Sequence, residues 1–346
     1  MKRMPHAKTQ RRKEKAARYA MKLRAVLNGL APFLILLGIL GLFALLPTPE
    51  GEPVRHFFLS GDNFRLVASQ WIVIALGTVG MALILLSGGI DLSAGASAAL
   101  AGVVAAMLLG TGHSLSTALL AALITGGVIG ALNGTFVATL GVAPFLVTLG
   151  MIGVARGAAR LIGGAAPIPL ADGLWIYDWT APFPALSWLK IAPGVWVVLL
   201  VAGVLALVLR GTVFGRHLYA VGSNETAAIL CGVRTRLTKG IAYMLGGLFF
   251  GLAGAVQMAT SRQGDPAAAS GLELDFIAAA VIGGIKLGGG SGHLFGALFG
   301  ALIMTILRNG CQQAGWPVPM QQIVIGLAII AVVGLDQWRR RGTASR

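Results

Sequence analysis

The stretch LILLSGGIDLSAGASAAL, from Leu83 to Leu100, places an aspartate inside a long apolar run. No lysine or arginine occurs between Arg65 and Arg156, so Asp91 has no basic neighbour in the sequence. A charged side chain in apolar surroundings is costly unless polar groups accompany it. The stretch therefore predicts a specific role for Asp91, and the adjoining glycines predict a break between two helices.

The composition indicates a protein that crosses a membrane many times. Of the 346 residues, 56% are hydrophobic and 11% are charged, whereas soluble domains carry about 25% charged residues. The 50 glycines suit helices that pack closely in lipid. The apolar runs are continuous, which argues against a β-barrel with alternating strands. We therefore predict an all-α, polytopic membrane protein.

Apolar runs of spanning length, bounded by polar residues, glycine or proline, predict about ten transmembrane segments. Their approximate bounds are 29–46, 64–87, 93–109, 117–140, 145–162, 194–209, 240–260, 274–287, 292–308 and 321–337. Two of them, 274–287 and 292–308, are each shorter than the roughly 20 residues that a bilayer requires. They form either two spans or one re-entrant hairpin.

The distribution of charge predicts the orientation of these segments. Most basic residues lie in 1–24, 210–239 and 338–346, and most acidic residues lie in the loops 47–63, 163–193 and 262–275. Because basic residues favour the cytoplasmic side, both termini are predicted to be cytoplasmic. The chain divides into a basic tail (1–28), a membrane domain (29–337) and a second basic tail (338–346).

The N-terminal tail directly precedes an apolar segment, so its charge predicts orientation and contact with anionic membrane lipid. It has no aromatic residues at stacking intervals, and nucleic-acid binding is not expected. The two cysteines and the five scattered histidines show no metal-ligand spacing. We expect neither a metal nor another cofactor.

Two glycine-rich breaks resemble each other. SGGIDLSAG (87–95) aligns with IGGIKLGGG (282–290) and places Asp91 opposite Lys286. The similarity indicates either an internal repeat or two unrelated glycine turns. Broken helices with glycines are where transporters place polar backbone beside a pathway. The candidate pathway residues are Gly88, Gly89, Asp91, Ser93, Gly283, Gly284 and Lys286.

Two compatible hypotheses account for Asp91. In the first, Asp91 or Ser93 caps the segment 93–109, because a side-chain oxygen accepts from the free N–H groups at a helix start. In the second, Asp91 lies along a pathway and approaches Lys286 or shares polar surroundings with it, since a paired charge is less costly than a lone one. The competing account has Lys286 extend to the cytoplasmic interface instead.

The loop GTVFGRHLYAVGSNETAAILCGVRTRLTKG (211–240) is predicted to contain a short cytoplasmic helix. Asn224 or Ser223 can cap it, Glu225 to Leu230 can form it, and Gly232 can end it. So short a helix is not stable alone. It docks either on the protein's own helices or on a partner.

Four stretches resemble the permease subunit of bacterial ribose-type ABC sugar importers. They are SGGIDLSAG, APFLVTLGMIGVARG (143–157), TVFGRHLYAVGSNETAAILCGV (212–233) and GLELDFIAAAVIGG (271–284), in the order of that family. The resemblance runs from about Phe64 to the C-terminal segment. Lys286 departs from the small or polar residue expected at its position, which puts the identity of the substrate in doubt.

The resemblance implies an importer that moves a sugar, a monosaccharide by this likeness, together with several partners. These are a second permease copy or paralogue, an extracytoplasmic sugar-binding protein and cytoplasmic ATPase subunits. The ATPases would dock at Asn224, Glu225, Ala227, Ala228 and Gly232. No G-x-x-x-x-G-K-[ST] motif occurs, so ATP hydrolysis is expected from a separate subunit and no catalytic residue from this chain.

An ion-coupled secondary transporter is the alternative. It would use carboxylates inside the membrane. Asp91 is the acid well inside an apolar stretch, and Glu273 and Asp275 stand at the predicted outer end of a segment. A membrane enzyme would need clustered histidine or acidic residues, and the sequence shows no such cluster.

Overall fold

The computed structural model describes residues 33–45, 58–164, 166–181 and 191–344. Almost all of this is helix, which confirms the all-α class. The helices are α1 Phe33–Leu45, α2 Gly61–Leu86, α3 Ala94–Gly110, α4 Leu115–Leu140, α5 Pro144–Gly163, α6 Ile176–Thr180, α7 Pro193–Gly211, α8 Val213–Ser223, α9 Glu225–Leu230, α10 Thr235–Ser261, α11 Leu272–Ile282, α12 Leu294–Gln313 and α13 Val318–Ala344.

Each of the ten predicted segments overlaps one of these helices. In the described part of the chain, six helices are long and apolar enough to cross a membrane, namely α2, α4, α5, α7, α10 and α12. The apolar parts of α1, α3 and α13 are shorter. The number of about ten crossings and the cytoplasmic side of both termini stay predictions. The tail 1–28 lies outside the described residues.

The segment 274–308 differs from the expectation of two short halves. The first half, α11, has 11 residues, but the second half, α12, has 20 and extends to Gln313. The predicted segment ended too early, at 308, because polar residues such as Arg308 and Asn309 lie near the end of α12. Inside the bundle Arg308 pairs with Asp275, and Asn309 pairs with Asn63. Of the two halves, α11 alone is short, and it ends at a glycine break.

Helix α2 is the centre of the bundle. It is buried on all sides from Trp71 to Leu86, and it packs against α10, α11 and α12. Such a position requires a helix that is apolar on every face, which is what this sequence provides. The Ser60 side chain accepts from the Asn63 N–H at 3.1 Å and fixes where α2 begins. The C-terminal end of α2 therefore delivers the first glycine break into the middle of the protein.

Helices α4 and α10 pack backbone to backbone. A Cβ added at Gly126 would lie 2.2 Å from the carbonyl oxygen of Gly247, and one added at Gly130 would lie 2.2 Å from that of Tyr243. Glycine at these positions lets the helices approach more closely than any side chain would permit. The contact holds α4 and α10 beside the first break.

Two short strands were not expected. β1, Ile168–Pro169, pairs antiparallel with β2, Gln263–Gly264. The strands connect the loop after α5 to the loop after α10, both of which the charge distribution places outside. Backbone pairing satisfies N–H and C=O groups that these loops would otherwise leave free.

Candidate functional site

The first glycine break begins where α2 ends. Gly88 has φ 84°, its N–H donates to the Leu85 carbonyl at 2.9 Å, and the Gly89 N–H donates to the Ile84 carbonyl at 3.1 Å. This pair of hydrogen bonds is the Schellman motif, which ends a helix at a residue in the left-handed conformation. Glycine adopts that conformation without steric cost, so Gly88 determines where the chain leaves α2.

The second break uses the same motif at the end of α11. Gly284 has φ 92°, its N–H donates to the Val281 carbonyl at 2.9 Å, and the Ile285 N–H donates to the Ala280 carbonyl at 3.0 Å. Gly284 is thus the structural equivalent of Gly88. The breaks are similar, as the sequence predicted.

The sequence alignment of the breaks is nevertheless wrong by one position. It had paired Gly89 with Gly284 and Asp91 with Lys286. In the structure Gly88 matches Gly284, so Asp91 corresponds to Leu287. The reason is that either glycine of a Gly-Gly pair can take the left-handed conformation, and identity of letters does not say which one does.

Asp91 is buried within a cluster of neutral hydrogen-bond donors. Its Oδ1 accepts from the Ser93 N–H at 2.7 Å and from the Ser93 hydroxyl at 2.6 Å, and its Oδ2 accepts from Asn133 Nδ2 at 3.1 Å. Asn133 Nδ2 also donates to Ser93 Oγ at 2.9 Å. Donors of this kind reduce the cost of burying a carboxylate. Asp91 is therefore accommodated by hydrogen bonds to Ser93 and Asn133.

The expected contact between Asp91 and Lys286 is not formed. Lys286 is exposed, and none of the ion pairs between described residues joins it to Asp91. The capping hypothesis holds only in part. Ser93 is the N-cap residue of α3, but its side chain makes no capping hydrogen bond. Asp91 instead fixes the turn that enters α3 by holding the Ser93 N–H.

Three helices contribute polar side chains that the sequence analysis did not select. Besides Asn133 on α4, Thr148 on α5 accepts from the Leu92 N–H at 3.1 Å, and Tyr243 on α10 donates to the Ile90 carbonyl at 3.3 Å. These contacts satisfy backbone groups of the unwound stretch between α2 and α3. A signal for Asn133 was present, because it is the sole amide side chain in the apolar segment of α4.

The candidate pathway residues divide by exposure. Gly88, Gly284 and Lys286 are exposed, whereas Gly89, Asp91 and Ser93 are buried and Gly283 is intermediate. The two breaks also meet, since the Gly290 N–H donates to the carbonyl of Leu86 at 3.1 Å. Leu86 is the last residue of α2, whose terminal carbonyl lacks a partner within the helix. The breaks thus form one glycine junction, comprising residues 86–89 and 288–290.

A second buried acid lies in α11. Asp275 lies in the first turn of α11, at the end that the sequence predicts to be the outer one. It is only 1% exposed, and Arg308 on α12 donates to its Oδ2. Arg308, 33 residues later in the sequence, supplies a compensating charge inside the bundle. Its positive charge already compensates Asp275. The described residues contain no group of three or more possible metal ligands.

The predicted short helix is present as α9, with the predicted start and stop. Asn224 Oδ1 accepts from the Ala227 N–H at 3.0 Å. Gly232, with φ 79°, ends the helix, and its N–H donates to the Ile229 carbonyl at 2.9 Å. Lys239 on α10 binds Glu225 at 2.6 Å. These contacts define both ends of α9 and anchor it to α10, and its cytoplasmic side stays a prediction.

Helix α9 has one buried side and one free side. Ala228 is 4% exposed and packs on the protein's own helices. Ile229 is 56% exposed and Leu230 is 84% exposed, and Ala227 is exposed as well. Two apolar side chains on the free side of an anchored helix are what a docking surface requires.

An apolar cavity lies elsewhere, under the short helix α6. Its lining includes Trp175 and Trp179 at α6, Leu76 from α2 and Val198 from α7. Sugar hydroxyls need hydrogen-bond partners when they leave water. The lining offers apolar surface instead, so this cavity does not have the chemistry of a sugar pathway.

Comparison with known proteins identifies the family. A family model described as "Branched-chain amino acid transport system / permease component" matches residues 63–333. The chain belongs to this family of permeases. No solved structure matches it significantly.

The permease has curated relatives that cover nearly all of its length. It is 36% identical to the ribose import permease protein RbsC of Escherichia coli K12, over 87% of this chain and 92% of that one. It is 34% identical to the autoinducer 2 import system permease protein LsrC of Photorhabdus luminescens, over 87% and 88%. The resemblance seen in the four motifs is confirmed.

These matches determine the class of the protein. The permease is a transport component and not an enzyme. It is a multi-pass protein of the inner membrane, in agreement with its apolar helices. Its relatives are import permeases for ribose and for autoinducer 2, while the family description refers to amino acids. The substrate therefore needs a separate argument.

Proposed function

We propose that the permease is the membrane-spanning subunit of an ATP-driven importer that moves a sugar, specifically a monosaccharide, into the cytoplasm. The observation that supports it most is α9, an anchored helix whose Ile229 and Leu230 have no cover within the described chain. An ATPase subunit would dock there. The substrate class is supported by the ribose import permease, which is 36% identical.

The proposed partners follow from this arrangement. A pair of cytoplasmic ATPases would bind α9 of each of two permease copies, and an extracytoplasmic sugar-binding protein would deliver the substrate. The second permease is either another copy of this chain or a paralogue. Closure of the ATPase pair on ATP would displace α9, and the helices would switch the side to which the pathway opens.

The glycine junction is the proposed inner part of the pathway. Its exposed members Gly88, Gly284 and Lys286 would face the substrate, while Asp91 and Ser93 would hold the unwound stretch in shape. A pathway at this position satisfies the rule that irregular backbone at membrane depth lines a cavity or is buried in protein.

Reconstitution tests the function. The permease is reconstituted in liposomes with a candidate ATPase and a candidate sugar-binding protein, and uptake of labelled ribose, a hexose and leucine is measured. We expect uptake of a sugar that requires ATP and all three proteins. Leucine uptake without sugar uptake would contradict the substrate class. Uptake driven by an ion gradient without ATP would instead support the secondary transporter.

A further inference from the structure

Helix α9 follows almost directly on α8. A single residue, Asn224, separates the end of α8 at Ser223 from the start of α9 at Glu225, and it is extended with φ −159° and ψ 102°. A displacement of α9 must therefore be taken up within one residue or passed to the C-terminal turn of α8. The contacts of that turn decide which structure receives the movement.

The C-terminal turn of α8 lies against the glycine junction. A Cβ added at Gly222 would lie 1.9 Å from the carbonyl oxygen of Leu86 and 2.6 Å from the backbone N of Gly290. Those two atoms are the acceptor and donor of the hydrogen bond that joins the two breaks. Since both are backbone atoms, they cannot give way as a flexible side chain would. Gly222 is therefore in direct contact with the bond between the breaks.

Gly289 of the second break takes part in the same contact. A Cβ added at Gly289 would lie 2.7 Å from the Cα of Gly88 and 2.9 Å from the carbonyl oxygen of Gly222. Backbone from α8, from the end of α2 and from the stretch after α11 thus packs together with no side chain between. Close-packed contacts of this kind transmit a displacement instead of absorbing it.

A hydrogen bond adds a second attachment one turn earlier in α8. The Tyr219 hydroxyl donates to the carbonyl of Gly292 at 3.0 Å. Partial burial raises the pKa of Tyr219, and the smaller effect of the nearby Arg210 lowers it. The phenol consequently remains protonated and can donate at physiological pH. Tyr219 ties α8 to the unwound stretch between the second break and α12, independently of Gly222.

We propose that Gly222 and Tyr219 are positioning residues that link the ATPase-facing helix α9 to both glycine breaks, so that the breaks move when α9 moves. This rests on the proposed function and names the route by which the ATPase acts on the pathway. A linking role and a packing role predict different results. A residue that only stabilises the fold would affect assembly, whereas a linking residue affects how much transport each hydrolysed ATP produces.

The test compares Gly222→Ala and Tyr219→Phe with the wild type in the reconstituted complex. Both uptake and ATP hydrolysis are measured in the same liposomes, and the ratio of sugar moved to ATP hydrolysed is the readout. We expect this ratio to fall roughly two- to thirtyfold, the range over which mutations between coupled sites alter coupling. ATPase binding and hydrolysis should persist. Gly211→Ala is the control, because a Cβ there meets nothing within 4 Å.

The outcomes separate the two proposals. If the wild-type complex shows no ATP-driven uptake, both the proposed function and this inference fail. If the wild type transports and both variants keep its ratio of transport to hydrolysis, only the inference is overturned. Should Gly222→Ala fail to assemble, Tyr219→Phe decides alone, since it removes one hydroxyl and leaves the packing unchanged.

Discussion

Asn133 is the residue that attaches the Asp91 turn to another helix. Ser93 lies two residues along the chain, so its hydrogen bonds to Asp91 can form wherever the turn forms. Asn133 comes from α4 and donates to both Asp91 and Ser93. Removing the partner of a buried polar group destabilises the folded protein by about 1–3 kcal/mol, and by more when that group is charged.

Replacing Asn133 with leucine should therefore destabilise the permease. We expect Asn133→Leu to lower the free energy of unfolding by about 1–3 kcal/mol, seen as a lower thermal midpoint of the purified protein in detergent. Thr135→Val on the same helix is the control, because Thr135 is exposed and donates only to the Ala131 carbonyl of its own helix. Equal midpoints for the two variants would contradict the role of Asn133.

Asp91 and Lys286 should act independently. Asp91 is buried with Ser93 and Asn133, whereas Lys286 is exposed on the other break. Residues without contact or shared partners have mutational effects that add within about 0.5 kcal/mol. In a double-mutant cycle on uptake with Asp91→Ala and Lys286→Ala, we therefore expect additivity. A larger interaction energy would show that the two side chains are coupled after all.

Helix α9 is the element that the sequence predicts best. Its start at Asn224 and its stop at Gly232 depend on hydrogen bonds between residues three to five positions apart, which local sequence determines. The glycine breaks were located correctly for the same reason. Their register was not predictable, because either glycine of a Gly-Gly pair can take the left-handed conformation. The partner of Asp91 was not predictable, because Asn133 lies 42 residues away and is brought near by the packing of α4.

Two substitutions on α9 should have opposite effects. Leu230 is exposed, so Leu230→Asp should leave the isolated permease stable and abolish its co-purification with the ATPase, since a charge would replace apolar docking surface. Ala228 is buried, so Ala228→Asp should lower the stability of the isolated permease. Measuring thermal midpoint and ATPase capture for both variants separates the free side from the anchored side. If the Leu230→Asp variant captured the ATPase as well as the wild type does, Leu230 would not belong to the docking surface.

The bundle as a whole depends on the glycine contact between α4 and α10. A single methyl group at Gly130 would collide with the backbone of Tyr243. Overpacking of this kind costs about 1–3 kcal/mol. We expect Gly130→Ala to lower the thermal midpoint and the yield of monodisperse protein. Gly203→Ala on α7, where a Cβ meets nothing within 4 Å, should change neither. If the two variants behave alike, the close contact does not limit stability.

The central position of α2 has a consequence for synthesis of the protein. Its partners α10, α11 and α12 are translated long after it, and Asn63 at its start pairs with Asn309, 246 residues later. Until they arrive, α2 lacks its three main helix partners and Asn63 lacks its partner Asn309. A nascent chain that stops after Gly211 should therefore be degraded by membrane proteases. Whether a copy of the permease folds correctly therefore depends on the last third of its sequence, which contains α10, α11 and α12.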